Sequence, residues 1–336
     1  MNRILVAGGG LIGIRHCAAV SAHPRCELAG LADPNPDIHV DAPRFADIAD
    51  APDDIDGIII ATPTALHAEL GAQAARRGWH MLIEKPVAAD LKGAEALARA
   101  ARKAKVNTLV GHHRRYHALV QQLRQMLRKG AIGTPVTASL IWAMGKPDSY
   151  FDGNWRATGG SPVMINLVHD IDLLRFVLGD ITAVRAVRGA DRRGADRISS
   201  GAVAIAFDSG VTGSIAFTDN APSPWGFEAA TGENPNIGAT RQDMLWITGT
   251  EGAVSFPSLD LWQGIDWSCP AMRRPVSTDQ NKQPPLTAQL DHFLDVMGGA
   301  TPFISMEDAT RTLAVTLDIE DQLHAAQPTA RAHEPA

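Results

Sequence analysis

The residues best suited to chemistry in this 336-residue chain stand at its beginning. Gly8-Gly9-Gly10-Leu11-Ile12-Gly13 carries glycine at the first, third and sixth places of a turn that follows the apolar run Arg3–Ala7. Gly8 suits a tight turn. Gly10 lets the amides that continue through Leu11 and Ile12 approach a dinucleotide pyrophosphate, and Gly13 lets the next helix pack closely on the strand. The N-terminus of that helix then holds the negative charge. Asp33 lies twenty residues beyond Gly13, after the apolar stretch Leu28–Ala32. A carboxylate there accepts hydrogen bonds from the adenosine ribose and repels a 2′-phosphate. Pro34-Asn35-Pro36-Asp37 supplies no Arg or Lys, so the expected cofactor is NAD rather than NADP. A lone aspartate before Pro34 would read as a turn residue. The strand before it and the glycine turn at this spacing favour the ribose role.

These groups need a scaffold, and residues 1–120 supply its pattern. Short apolar runs are expected as strands at Arg3–Ala7, Glu27–Ala32, Gly57–Thr62, His80–Glu84 and Asn107–Gly111, with a short element near Phe45–Ala49. Stretches of helical period separate them at 10–22, Ala65–Arg77 and Leu91–Lys105. Fully apolar strands alternating with helices imply a doubly wound α/β domain with a parallel sheet covered on both faces. Ligands bind at the carboxyl edge of such sheets. Thr62 and Pro63 fall there and are expected to line the nicotinamide side. His67, one helical turn on, is a cofactor candidate that could equally be a solvated helix cap.

Further motifs agree with one another. Glu84-Lys85-Pro86 ends the strand His80–Ile83, and His113-Arg114-Arg115-Tyr116 follows the fifth strand. Trp155-Arg156 precedes Gly159-Gly160-Ser161, which leads through Asn166 to His169-Asp170-Ile171-Asp172. In this order, with the glycine turn and Asp33, they resemble the Gfo/Idh/MocA oxidoreductase family over nearly the whole chain. The resemblance implies an N-terminal Rossmann domain (1–120) that binds NAD. It also implies a C-terminal α+β domain (121–336) with an open, mostly antiparallel sheet for substrate binding and oligomerisation. Substrate would sit between the domains, with Lys85 and His169 meeting across the cleft, and Glu84 would join the cofactor set. Many polyol-oxidising members carry an aspartate four residues before the histidine. Here Ile165 stands there, which weakens an inositol-type assignment. Asn166, at i−3 from His169, is close enough to meet the substrate instead.

The side chains themselves suit alcohol oxidation. As hydride leaves carbon, a base must take the hydroxyl proton. His169 titrates nearest working pH, and Asp172, one turn on, can orient the ring or hold the helix end. Lys85, partly desolvated beside a cationic cofactor, can stabilise the alkoxide or relay the proton. Taken alone, Lys85 would be a solvated charge and His169/Asp172 a capping pair. Asp170 is expected to face solvent or a domain contact. Arg114 and Arg115 could bind the cofactor phosphate or a substrate carboxylate, or bridge the domains, and Tyr116 could touch substrate. His112, His113 and His117 are not expected to bind a metal, since no Cys or carboxylate completes a ligand set.

From Pro135 onward the apolar period becomes two. Val203, Ile205 and Phe207 alternate before Asp208-Ser209-Gly210, and Ile215 and Phe217 continue after it, as in a hairpin. Strands are also expected at Pro135–Ala143, Ile181–Arg188, Asp243–Thr248, Ala253–Phe256 and Leu259–Trp262. Helices are expected at Leu119–Lys129, Leu286–Met297 and Met306–Ala325. Asn220–Gln242 and Gln263–Pro285 read as loops, and Trp155, Trp225 or Trp267 could wall a substrate ring. A sheet with one open face implies a homodimer or homotetramer. Charge is 31 basic against 37 acidic residues, net −6, a poor match to nucleic acid or an anionic membrane. With no eighteen-residue apolar run, no signal-peptide pattern and three cysteines, a cytoplasmic protein is expected. The reading is an NAD-dependent dehydrogenase of a secondary alcohol on a sugar, cyclitol or cyclic diol, carboxylated ones included. The alternatives are a non-catalytic dinucleotide-sensing regulator, against which Lys85 and His169 speak, and an NAD-dependent glycosidase on the same fold.

Overall fold

The computed structural model describes residues 1–151, 161–190, 197–264, 266–269, 271–276 and 283–326, so Trp155, Arg156 and Gly159-Gly160 lie outside the described residues. The chain forms two compact units. Residues 1–116 and 283–314 make the first; 117–282 and 315–336 make the second. The segment 283–314, expected with the second half of the chain, packs with the first. Asn107 Nδ2 donates to Val296 O at 2.9 Å, Arg25 reaches Asp291 and Asp295 at 2.8 and 2.6 Å, and Arg115 reaches Asp308 at 2.6 Å.

In the first unit, β1 (Asn2–Ala7), β2 (Cys26–Ala32), β3 (Arg44–Phe45), β4 (Gly57–Ile60), β5 (His80–Ile83) and β6 (Thr108–Val110) form one parallel sheet. Its order, β3-β2-β1-β4-β5-β6, reverses direction at β1 and β4, the switch point where doubly wound sheets bind ligands. Ile4, Leu5, Val6, Ile58, Ile59, Ile60, Met81, Leu82 and Ile83 are all inaccessible to solvent. Burial on both faces explains runs that are apolar throughout rather than alternating. Helices α1 (Leu11–Ser21), α2 (His67–Arg76) and α3 (Leu91–Ala104) connect the strands. α3 starts where Asp90 Oδ1 accepts from the Gly93 amide at 2.6 Å, and it buries Ala94, Leu97, Ala98 and Ala101, one helical stripe.

The second unit is built on eight strands: β7 (Pro135–Ala143), β8 (Ile181–Arg188), β9 (Ser200–Phe207), β10 (Thr212–Thr218), β11 (Leu245–Gly249), β12 (Gly252–Phe256), β13 (Leu261–Gln263) and β14 (Met272–Arg274). Their order is β14-β13-β12-β11-β7-β10-β9-β8; only β7 and β10 pair in parallel. The hairpin expected from Val203, Ile205 and Phe207 is β9–β10. Along β7, β9 and β10 Leu140, Trp142, Val203, Ile205, Phe207, Ile215 and Phe217 are buried, while Ser139, Ala202, Ala204, Ser214 and Ala216 face out. Two stretches read as loops hold structure. β14 pairs with β13, and helix α6 (Phe227–Thr231) buries Phe227 and Ala230. Pro- and Gly-rich surroundings hid both elements, which are five residues or shorter. Helix α4 (Ala118–Arg128) packs against α5 (Val168–Leu178), with the Arg124 guanidinium 3.9 Å above the Phe176 ring. Helices α7 (Pro285–Met297) and α8 (Met306–Ala325) complete the chain. Among the described residues no helix is long and apolar enough to cross a membrane.

The glycine turn differs in kind from place to place. Gly8 has φ +95°, the left-handed region that favours glycine. A Cβ on Gly13 would lie 1.8 Å from the Gly8 carbonyl oxygen, whereas one on Gly10 would meet no atom of the chain within 4 Å. Gly13→Ala is therefore expected to destabilise the protein by more than about 3 kcal/mol, with backbone moving backbone. Gly10→Ala should cost less than about 1 kcal/mol. Chemical denaturation of the two variants checks the contrast.

Candidate active site

The carboxyl ends of successive parallel strands gather the expected nucleotide residues along one edge of the first unit. β1 leads into Gly8, β2 into Asp33, β4 into Thr62 and Pro63, and β5 into Glu84 and Lys85. Helix α1 begins at Gly10 with no side-chain cap and no acidic residue in its first turn, so its end retains the positive dipole. Leu11, beside it, is 70% exposed. Asp33 Oδ2 accepts from the Gly9 amide at 2.6 Å and Oδ1 from the Asn35 amide at 2.8 Å. Each oxygen keeps capacity for a further donor such as a ribose hydroxyl. Sequence reasoning missed Arg44 on β3. Its guanidinium donates to the carbonyls of Asp33, Asn35 and Pro36 at 3.3, 2.5 and 2.6 Å, closing the loop after Asp33.

Two observations fit this edge to a bound dinucleotide. Space for a side chain is left open at Gly10, where the chain's own packing does not demand glycine. Thr62 Oγ1 is buried and, among the described residues, has no hydrogen-bond partner. Such a hydroxyl is costly unless a ligand or water satisfies it.

His67 is neither solvated nor a cap. It is 1% exposed, with Nε2 2.9 Å from Thr62 O and Nδ1 2.9 Å from Pro86 O. A neutral ring can donate to only one of these carbonyls. Burial pushes its pKa below the ordinary value, against the pull of the two carbonyls. The ring thus links the turn after β4 to the turn after Lys85.

Glu84 is buried at 4% exposure, and its Oε1 lies 2.9 Å from His16 Nε2 on α1, a partner sixty-eight residues away that the sequence did not reveal. Burial would raise the carboxyl pKa. The His16 hydrogen bond and charge, with the charges of His113 and Lys85, outweigh it and hold the value at about 2. Lys85, half-buried, follows directly, and its amide reaches Glu84 Oε2 at 3.2 Å. His113 (7% exposed) and Arg114 (2%) are buried beside the sheet edge. Tyr116, a candidate to touch substrate, directs its hydroxyl to His292 Nδ1 at 2.7 Å and packs edge-on against Phe303. Arg115 is engaged by Asp308.

In the second unit, His169 and Asp172 lie one turn apart near the start of α5, 7% and 1% exposed. Asp170, expected at solvent or a domain contact, is fully buried; α5 is enclosed on nearly every side. The turn before it, Val163–Leu167, is a π-helix, a widening frequent at functional sites. Asn166 sits in this turn, and its Oδ1 accepts from Lys146 Nζ at 2.7 Å. Lys146 is a second residue that sequence reasoning missed; a lone lysine after a strand gives no signal of its partner. Trp225 is 38% exposed and Trp267 fully exposed.

A model described as an oxidoreductase family with an NAD-binding Rossmann fold matches residues 2–112, and one for the GFO/IDH/MocA C-terminal domain matches 120–255. The 1,5-anhydro-D-fructose reductase of Ensifer adhaerens is 34% identical over 193 residues, 55% of this chain and 57% of that protein. Levoglucosan dehydrogenase of Pseudarthrobacter phenanthrenivorans is 28% identical over 298 residues, 74% and 72% of the two chains. The chain spans only 55–58% of the length of the first four curated relatives it matches. The crystal structure of the WlbA dehydrogenase from Bordetella pertussis, in complex with NADH and UDP-GlcNAcA, shares the fold with a TM-score of 0.78 at 20% identity over 96% of each chain.

The Glu84 pKa makes a signed prediction. A carboxyl lowered from 4.5 to about 2 on folding contributes stability that is complete above pH 4.5 and lost as pH falls toward 2. Relative to Glu84→Gln, the wild type should therefore lose on the order of 3 kcal/mol between pH 4.5 and 2. Urea denaturation of both proteins across that range measures the difference.

Proposed function

The chain belongs to the Gfo/Idh/MocA family of oxidoreductases with an NAD-binding Rossmann fold, and from that premise we propose that it is an NAD-dependent dehydrogenase acting on a secondary alcohol of a sugar, cyclitol or cyclic diol. One observation carries this reading. The ends of β1, β2, β4 and β5 bring the glycine turn, Asp33, Thr62 and Lys85 to a single sheet edge at the switch point. Relatives named for 1,5-anhydro-D-fructose reduction, inositol 2-dehydrogenation and levoglucosan dehydrogenation support the substrate class. On this reading the first unit binds nucleotide and the second binds substrate.

Bound NAD supplies the acceptor for hydride at its nicotinamide C4. Gly9 to Gly13 receive the pyrophosphate on backbone amides, and Asp33 takes the adenosine ribose. Thr62, Pro63 and Glu84 line the nicotinamide side, and the buried His67 holds two of the turns involved. The ammonium of Lys85 stabilises the oxygen of the alcohol as its charge grows. His169 takes the hydroxyl proton; its Nδ1 is buried, so Nε2 is assigned as the acceptor. Asp172, one turn on, holds the end of the helix that carries the ring, and Asn166 contacts the substrate. We further propose that the small-residue face of the second unit's sheet, with Val136 and Val187 50% and 59% exposed, pairs with a second copy of the chain.

With NAD and a panel of polyols, sugar acids and cyclic diols, the purified protein should generate the reduced-nicotinamide absorbance. His169→Ala and Lys85→Ala should lower turnover at least about 100-fold, while His169→Ala leaves the NAD dissociation constant unchanged. No reduction by any panel member despite bound NAD would contradict the proposal.

A further inference from the structure

Lys146 has no place in the steps above, yet its setting in the second unit is highly ordered. Its main-chain amide donates to Asp219 O at 3.1 Å, which extends the pairing of β7 and β10 past their ends. The side chain is 10% exposed. The ammonium stands 5.0 and 5.4 Å from the Tyr150 and Trp142 ring centroids and 3.9 Å from Asp219 Oδ2, and Arg197 reaches the same oxygen at 3.0 Å. Asp219 is fully buried, so these two cations offset the cost of its charge. A buried lysine fixed by a strand, a carboxylate and two rings has little freedom to turn elsewhere.

It is this ammonium that meets Asn166 at 2.7 Å. Lysine has three donors and no acceptor, so the amide atom facing it must be the oxygen. The opposite atom, Nδ2, has no acceptor among the described residues, and Asn166 is half-buried. A free asparagine can rotate its amide and offer either end to a ligand. Lys146 removes that choice, leaving a donor three residues before His169.

We propose that Lys146 is a positioning residue that holds the Asn166 amide with its N–H2 edge toward the substrate. That edge donates to any oxygen but most strongly to an ionised one, so the site favours a carboxylate borne near the reacting alcohol over a hydroxyl. Sugar acids bind in preference to plain cyclitols. The inference rests on the reading that His169 and Asn166 meet the substrate.

Calorimetric titration in the presence of NADH, which prevents alcohol oxidation, compares D-glucuronate with myo-inositol as probes. The wild type should bind D-glucuronate at least about tenfold more tightly. Lys146→Met should weaken D-glucuronate roughly tenfold or more, and Lys146→Arg should restore it to within about threefold. Asn166→Asp keeps an oxygen for Lys146 but replaces the donor with a second acceptor, so it should reverse the preference toward myo-inositol. Should Lys146→Met fail to fold, Asn166→Asp decides. No binding of either probe to the wild type, no preference between them, or a D-glucuronate preference that persists in Asn166→Asp overturns the proposal. The expected binding pattern without NAD reduction by any alcohol would strike the dehydrogenase reading and leave this one standing.

Discussion

The approach of Gly13 to the Gly8 carbonyl leaves no room for a methyl group, and much of the first unit depends on that closeness. It seats α1 directly at the end of β1, so the first amides of the helix point past the sheet edge. From the same helix His16 reaches Glu84 at 2.9 Å, and so the turn carrying Lys85 is referenced to the helix whose end is proposed to receive the phosphates. His67 adds a second tie, from the turn after β4 to the turn after β5. The amine proposed to act on substrate is thus positioned by the fold of the nucleotide site rather than by a separate device. Such support is what a preorganised site needs, because a small displacement at the reacting atoms costs a large factor in rate.

The second unit solves a different problem, presenting polar groups from a helix with almost no exposed side. α5 is buried through His169, Asp170 and Asp172, where an unpaired charge would be expensive. The π-turn at Val163–Leu167 precedes it and carries Asn166, which Lys146 engages from the end of β7. Lys146 and Arg197 both face the buried Asp219 and offset the cost of its charge. This is a costly arrangement in purely structural terms, since well-packed apolar side chains often stabilise as much.

What could be read from the sequence follows from the range of each interaction. The glycine turn, Asp33 and the apolar strands are encoded by local spacing, and the order of the parallel sheet follows from alternating strands and helices. The β9–β10 hairpin was equally legible from its period of two. His16 with Glu84, Lys146 with Asn166, and Arg44 with the loop after Asp33 join residues whose partnership no spacing announces. The return of 283–314 to the first unit was hidden for a related reason: the apolar stripe of α7 records that the helix packs, not on what. Tyr116 drew notice because it is rare and stands beside Arg114 and Arg115; its hydroxyl meets His292 on that same α7, a pairing no spacing announces. The full burial of Asp170 could not be read either, since the enclosure of α5 shows only in three dimensions.

The nucleotide site underlies every functional statement, and Asp33 gives it a selective signature. Its carboxylate is held by the Gly9 and Asn35 amides, and the nearest guanidinium, Arg44, is committed to three carbonyls. With Asp33 in its proposed ribose-binding role, a 2′-phosphate would meet that negative charge. Equilibrium titration of the purified protein with NAD and with NADP measures this directly. NAD should bind at least about tenfold more tightly, a difference of about 1.4 kcal/mol; equal affinities, or tighter binding of NADP, would contradict the account.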